Sequence, residues 1–307
     1  MDPMSVKLDI PTGDFPRAHA AVSVHRSKAE LRAALAGPRG AGRTIGLVPT
    51  MGFLHEGHLS LLRAARAECD VVVMSLFVNP TQFGPGEDLE RYPRDEQRDL
   101  ALASEAGVDL VFAPAAEEVY PAGFATTVEV GGELTGVLDG DPARRGPEHF
   151  RGVTTVVAKL FNAVGPDVAY FGQKDAQQAA VIGRMVRDLD FPVRIEVRPT
   201  VREPDGLAMS SRNGYLGPQD RERATALSRA LGTVEREAAA GPLAAALEAG
   251  RGVLAAAGVE PEYLEARDAE TLEPVAELGK RPVLVAVAAR VGTARLIDNV
   301  LIRRTDR

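Results

Sequence analysis

The chain has 307 residues, 45% of them hydrophobic and 26% charged, which suits one large folded unit and a smaller one and makes wholesale disorder untenable. Its 36 basic and 43 acidic residues leave a formal charge of -7, giving no general attraction to a phosphate backbone, so no nucleic-acid partner is expected. The single cysteine, Cys69, excludes an intrachain disulfide framework and reads as a small buried residue in a reducing compartment.

Residues 1–20 carry Asp2, Asp9 and Asp14 with three prolines and no apolar run, unlike a signal peptide, and no segment reaches transmembrane length. A cytoplasmic protein without a membrane partner is the expectation. From Thr44 a short apolar run meets a Gly- and His-rich turn and then Leu59–Arg66, whose apolar spacing is helical, so the order is strand, loop, helix. Val71–Val78 is nearly all apolar and β-branched at its start, as in a strand buried on both faces of a parallel sheet. A helix over Arg94–Ala106 and a strand over Val108–Ala113 repeat the alternation. So do a helix over Gly152–Val164, a strand over Val168–Phe171, a helix over Asp175–Leu189 and a strand over Val193–Arg198.

Repeated strand and helix units predict a doubly wound parallel sheet with ligands beyond the carboxyl ends of its strands. Beyond about Tyr215 the composition changes. Ala-rich helices over Pro218–Ala239 and Pro242–Ala257 precede strands over Glu262–Arg267, Val283–Ala289 and Thr293–Ile302. The division expected is a first domain over 1–200 and a smaller α/β C-terminal lid domain over 201–307, with a hinge near Pro199 to Asp205.

Three segments carry chemistry. Pro49-Thr-Met-Gly-Phe-Leu-His-Glu-Gly-His58 places His55 and His58 where a strand gives way to a helix. Gly57 lets backbone approach a ligand, and the helix N-terminus supplies free N–H groups, a geometry suited to a triphosphate. Imidazole donates hydrogen bonds to phosphate oxygens without carrying permanent charge. The spacing of three, where the zinc-protease motif needs four, argues against zinc, while solvent-exposed turn histidines are the plainer alternative. Lys174 and Asp175 fall at a second strand-to-helix junction, where lysine offers a mobile cation and Asp175 an N-cap. Finally, Arg202–Asn213 reads as an exposed loop whose Ser210, Ser211 and Arg212 suit phosphate, as in a lid that closes over a nucleotide.

His-x-Gly-His resembles the nucleotide signature shared by nucleotidylyltransferases and class I aminoacyl-tRNA synthetases, implying a Rossmann-like domain of the HIGH-type nucleotidylyltransferase superfamily. The ordered blocks Val78-Asn-Pro-Thr-Gln-Phe83, Tyr92-Pro-Arg94, His149-Phe-Arg-Gly-Val153 and Ala208-Met-Ser-Ser-Arg-Asn213 resemble those of the pantothenate synthetase family, strongly over Thr44–Tyr215. That resemblance implies a cytoplasmic ligase that condenses pantoate with β-alanine through a pantoyl adenylate, using ATP and Mg2+ and releasing pyrophosphate and AMP. A homodimer through the N-terminal domain is implied too. His55, His58, Lys174, Ser210, Ser211 and Arg212 would be catalytic around the phosphates. The ATP site would add Pro49, Met51, Gly52, Gly172, Asp175, Val201 and Met209. Gln82 and Gln178 would bond pantoate, with Pro49, Met51 and Phe83 as its apolar wall, and Asp99 would help hold the metal. Two departures stand out: Arg145-Gly-Pro-Glu-His-Phe150 alters the approach to His149, and Phe53 replaces a usually small residue and is expected to point into the core. The competing readings are a nucleotidylyltransferase or tRNA-charging domain, which would need a nucleic-acid or phosphorylated second substrate, and a non-catalytic nucleotide-binding module.

Overall fold

β-Branched runs and helical apolar stripes alternate along the first two thirds of the chain, and in the computed structural model they become strands and helices in turn. Residues 22–84 and 89–304 are described, so the reading of residues 1–20 lies outside the described residues. The first unit comprises β1 (Ser23–His25), α1 (Lys28–Gly40), β2 (Ile45–Thr50), α2 (Glu56–Glu68), β3 (Val71–Leu76), α3 (Glu96–Glu105) and β4 (Leu110–Phe112). Two short helices follow, α4 (Ala116–Val119) and α5 (Glu133–Gly136), then α6 (Pro147–Val164), β5 (Val168–Gly172), α7 (Ala176–Asp188) and β6 (Arg194–Arg198). The second unit has α8 (Pro218–Ala224), α9 (Ala226–Ala238), α10 (Leu243–Ala256), β7 (Pro261–Asp268), β8 (Val283–Val291) and β9 (Ala294–Ile302).

The first six strands form one parallel sheet in the order β1-β4-β3-β2-β5-β6. Strand order reverses between β2 and β5, so a crevice opens beyond Thr50 and Gly172, the switch point where such sheets bind ligands. The doubly wound expectation is met. Both faces of the central strands are dry: Ile45, Leu47, Val71 and Val73 pack into one apolar cluster with α1 and α6. Val48, Val72 and Met74 pack into another with Leu61, Leu62 and Ala65 of α2. That accounts for the continuous apolar run at β3. Cys69, 4% exposed, lies in the second cluster, its Sγ 3.4 Å from the Tyr170 hydroxyl.

Three differences from the sequence reading have local causes. β1 and α1 went unread because β1 is only three residues long; a capping box of Ser27 and Glu30 starts the helix, a device typically worth about 1 kcal/mol. The single helix expected over Pro218–Ala239 is broken at Thr225 into α8 and α9. Helix α6 begins at Pro147, five residues before Gly152, because Gly146 at φ 79° turns the chain and proline tolerates the first helical position. The earlier start puts His149 in its first turn.

In the second unit, β7-β8-β9 make an antiparallel sheet. Leu227, Leu231, Val234 and Leu254 of α9 and α10 cover one face. Leu284, Ala286 and Ala288 on the other face pack against Leu138, Phe150 and Val181 of the first unit. A polar junction reinforces this apolar one. Asp139 is 6% exposed and accepts hydrogen bonds from Arg295 at 2.9 and 3.2 Å and from the Tyr263 hydroxyl at 2.7 Å. Burial opposes its charge, but the Arg295 guanidinium more than compensates and holds the carboxyl below its usual range.

Candidate active site

A cavity of about 270 Å³ lies beyond β2 and β5, closed on one side by the second unit. Its first wall is the turn from β2 into α2. Gly52 is buried in that turn, and Asp99 reaches it from α3, its oxygens accepting the N–H groups of Phe53 and Leu54 at 2.7 Å each. Asp99 is 1% exposed and does not line the cavity. Expected to help hold a metal, Asp99 here accepts backbone amides and fixes the loop that presents the histidines. Phe53 also departs from expectation. It is half-buried with φ 52°, and the Arg98 guanidinium lies 5.3 Å from its ring centroid, so it enters neither the core nor the cavity.

His55 and His58 stack with ring centroids 4.0 Å apart. His58 Nδ1 accepts the His55 backbone N–H at 3.3 Å, which satisfies a donor at the start of α2. A neutral imidazole that accepts at Nδ1 carries its proton on Nε2, so His58 offers a donor. The buried Nδ1 of His55 has no partner among the described residues. Burial, then the Lys174 cation, lower the His55 pKa to about 4. Burial, then His55 and Lys174, lower that of His58 to about 3. Both rings are neutral near pH 7, as uncharged donors require. Gly57 lines the cavity, and a Cβ there would meet the His55 ring at 2.9 Å. The missing side chain makes room for the imidazole.

The second wall follows β5. Gly172, Lys174 and Asp175 lie on the turn into α7, with the Lys174 side chain 20% exposed and its Nζ 3.9 Å from Asp175. Asp175 occupies the N-cap position of α7, but its side chain makes no capping bond. The carboxylate is half exposed at the cavity instead.

The third wall is the segment read as a free loop, and here the structure is more restrained. Arg202 pairs with Ala208 in an antiparallel bridge, Met209 N–H donates to Val201 O at 3.0 Å, and Asn213 bonds Ala208 O and Glu203. Arg221 clamps Glu203 and Asp205 from α8. Leu207 and Ala208 are buried. The segment is a tied hairpin, because Arg202, Glu203 and Asp205 pair with Asp298 and Arg221 of the second unit. Val201, Met209, Ser210, Ser211 and Arg212 line the cavity from it.

The same cavity has a mixed surface. Pro49, Met51 and Phe83 line it with Val153, Val156 and Val157 of α6. The 3-10 turn Pro80–Gln82 brings in Gln82, whose Oε1 accepts from Asn79 at 3.1 Å and whose Nε2 contacts the Met51 sulfur at 3.1 Å. Gly152 allows α6 to press on this turn, since a Cβ there would lie 2.2 Å from Thr81 O. Gln178, half-buried on α7, shares the surface.

With the geometry in view, likeness to known proteins is decisive. A model of the pantoate-beta-alanine ligase family matches residues 23–301. The chain belongs to that family. This ligase is 58% identical over 285 residues to the pantothenate synthetase of Moorella thermoacetica, covering 91% of this chain and 98% of that one. The crystal structure of the pantothenate synthetase from Thermus thermophilus superposes with a TM-score of 0.87 at 52% identity, covering 92% of this chain and all of that one. That of the Francisella tularensis pantoate-beta-alanine ligase, complexed with beta-gamma ATP and beta-alanine, gives 0.75 at 33% identity, covering 92% and 98%.

Of the ligase residues singled out in sequence, all but Gly52 and Asp99 line the one cavity. Others were quoted within family blocks but given no role. Asn79, 1% exposed, orients Gln82 and also bonds Gly152 O. His149 Nδ1 lies 2.7 Å from Gln82 O and its Nε2 3.1 Å from Arg145. The altered Arg145–Phe150 segment thus still delivers a histidine to the base of the Gln82 turn. Gln177, adjacent to Gln178, is structural: its amide spans Leu134 O, Val137 O and Asp139 N.

Proposed function

We propose that this ligase binds ATP with the β2–α2 and β5–α7 turns and the Met209–Arg212 hairpin, and holds pantoate on the Gln82, Gln178 and Phe83 surface. One observation supports this above the others: paired neutral histidines, a lysine, two serines and an arginine line the same cavity as two glutamines and a set of apolar side chains. Polar ends with an apolar middle match a hydroxy acid bearing a gem-dimethyl group.

In the first step a pantoate carboxylate oxygen attacks the α-phosphorus, forming the acyl–phosphate bond as the bond to pyrophosphate breaks. His55, His58 and Lys174 stabilise the negative charge that builds, Lys174 and Arg212 on the departing side, while the serines bond phosphate oxygens. In the second step the neutral amine of β-alanine attacks the acyl carbon, AMP leaves with the bonding pair, and the amine loses a proton to give the amide. The first nucleophile is already an anion and the second needs only its free-base form, so positioning supplies much of the catalysis.

The three-carboxylate or imidazole cluster of a dedicated metal cage is not found among the described residues. Magnesium accordingly suits this site as a companion of the phosphates, with the half-exposed Asp175 the carboxylate best placed to meet it or its waters. The same reading includes a homodimer.

The test is pyrophosphate release by the purified protein with ATP and magnesium, then AMP and pantothenate after addition of β-alanine. Release that depends on pantoate, followed by product that depends on β-alanine, is expected. ATP binding with neither release nor product would reduce the chain to a nucleotide-binding module, and sedimentation of the same sample as a monomer would remove the dimer from the reading.

A further inference from the structure

Strand β9 belongs to the second unit, yet two adjacent residues at its middle touch both phosphate-facing walls. Asn299, 4% exposed, donates from Nδ2 to Gln173 O and Lys174 O, each at 2.9 Å, and accepts from Gln173 Nε2 at 3.2 Å. Its whole amide is thus committed to the turn that carries Lys174. Asp298, 3% exposed, binds Arg202 in bidentate fashion at 2.6 and 3.0 Å, and its Oδ1 also accepts the Asn299 N–H at 2.8 Å. Arg202 in turn belongs to the strand pair that delivers Met209 to Arg212.

We infer that Asp298 and Asn299 are positioning residues for the ligase reaction: by gripping the Gln173–Lys174 turn and the Arg202 hairpin from one strand, they set the spacing between the cation and the serine–arginine segment. The inference rests on the proposed role of Lys174 at the phosphates. Both residues are buried, and the amide of Asn299 meets two consecutive carbonyls of the turn that carries the lysine. A backbone held this way fixes where the Lys174 stem starts, and small displacements of a catalytic group are costly to rate.

Asn299→Ala is expected to lower kcat for pantoate-dependent pyrophosphate release by about 10–100-fold, the scale of losing a supporting hydrogen bond behind a site residue. KM for pantoate should stay within about twofold, since the Gln82 turn is held independently by Asn79 and α6. The deciding measurement is a double-mutant cycle with Lys174→Ala. If Asn299 acts through Lys174, adding Asn299→Ala to Lys174→Ala costs little more than Lys174→Ala alone. Effects that multiply in full, or wild-type kcat in Asn299→Ala, overturn the inference. Full activity of Lys174→Ala alone overturns instead the reading on which it rests. Should Asn299→Ala not fold, Asn299→Ser, which retains one donor, carries the same cycle.

Discussion

Lys174→Ala should lower pantoate-dependent pyrophosphate release by about a hundred- to a thousand-fold while leaving the fold intact. The size follows from where the ammonium sits. It is 20% exposed on the β5–α7 turn, in a cavity where water screens poorly, and its charge is felt at both imidazoles, lowering the pKa of each. Removing a preorganised group that stabilises developing charge costs about two to three powers of ten in comparable sites. Its charge also gives an independent readout. Because the cation disfavours protonation of His55 and His58, Lys174→Ala must move both titrations upward, observable by NMR of the ring protons. Lys174→Arg should restore the histidine titrations more fully than the rate, since a guanidinium fork does not reproduce a point charge on a flexible stem. Full turnover in Lys174→Ala would remove the cation from the mechanism, and unmoved histidine titrations would show that its charge does not reach the imidazoles.

The fold was legible where burial imposes a pattern. β2, β3 and β5 are covered on both faces and read as apolar runs, and α6 and α7 carry helical stripes because one side of each meets the sheet. What was not legible depended on distant partners. Nothing local in Asp99 distinguishes a metal ligand from a carboxylate that accepts two backbone N–H groups some 45 residues upstream. The Arg202–Asn213 segment has the composition of a free loop, and its restraint comes from Asp298 at the other end of the chain and Arg221 on α8. Gln177 and Gln178 are neighbours of one residue type, separated only by the helical rotation that buries one, its amide held by Leu134, Val137 and Asp139, and leaves the other half-buried. The candidate site was named mostly from motifs; Asn79 and His149 fall inside the family blocks, but what they hold, like Asn299 altogether, emerges only when the sheet and hairpin bring the partners together.

His58→Ala is expected to cost a further two to three powers of ten, about the value of one donor aimed at developing negative charge. His58→Gln, whose amide reaches close to where the imidazole Nε2–H lies, should retain more activity than the alanine variant. His55→Ala belongs with it, since the stacked rings support one another. Neutrality is what these variants probe together with pH. With pKa values lowered to about 4 and about 3, neither imidazole changes charge between pH 8 and 5, so neither contributes a step to the free-enzyme rate profile there. Stability behaves differently. In the unfolded chain both return to the ordinary 6.5, so below that value unfolding takes up protons and the folded state loses stability as pH falls. The loss begins near pH 6.5 and is complete only below the folded values; above 6.5 both states are neutral and the contribution is flat. Thermal unfolding followed from about pH 7 to about 4.5 should therefore show a steeper decline in wild type than in a His55→Asn, His58→Gln double variant. Equal slopes, or a rate step near pH 6.5 that the double variant abolishes, would mean that the pair titrates near 6.5 in the folded enzyme and is charged below it. It would then act as a phosphate-binding cation beside Lys174, and not as a pair of neutral donors.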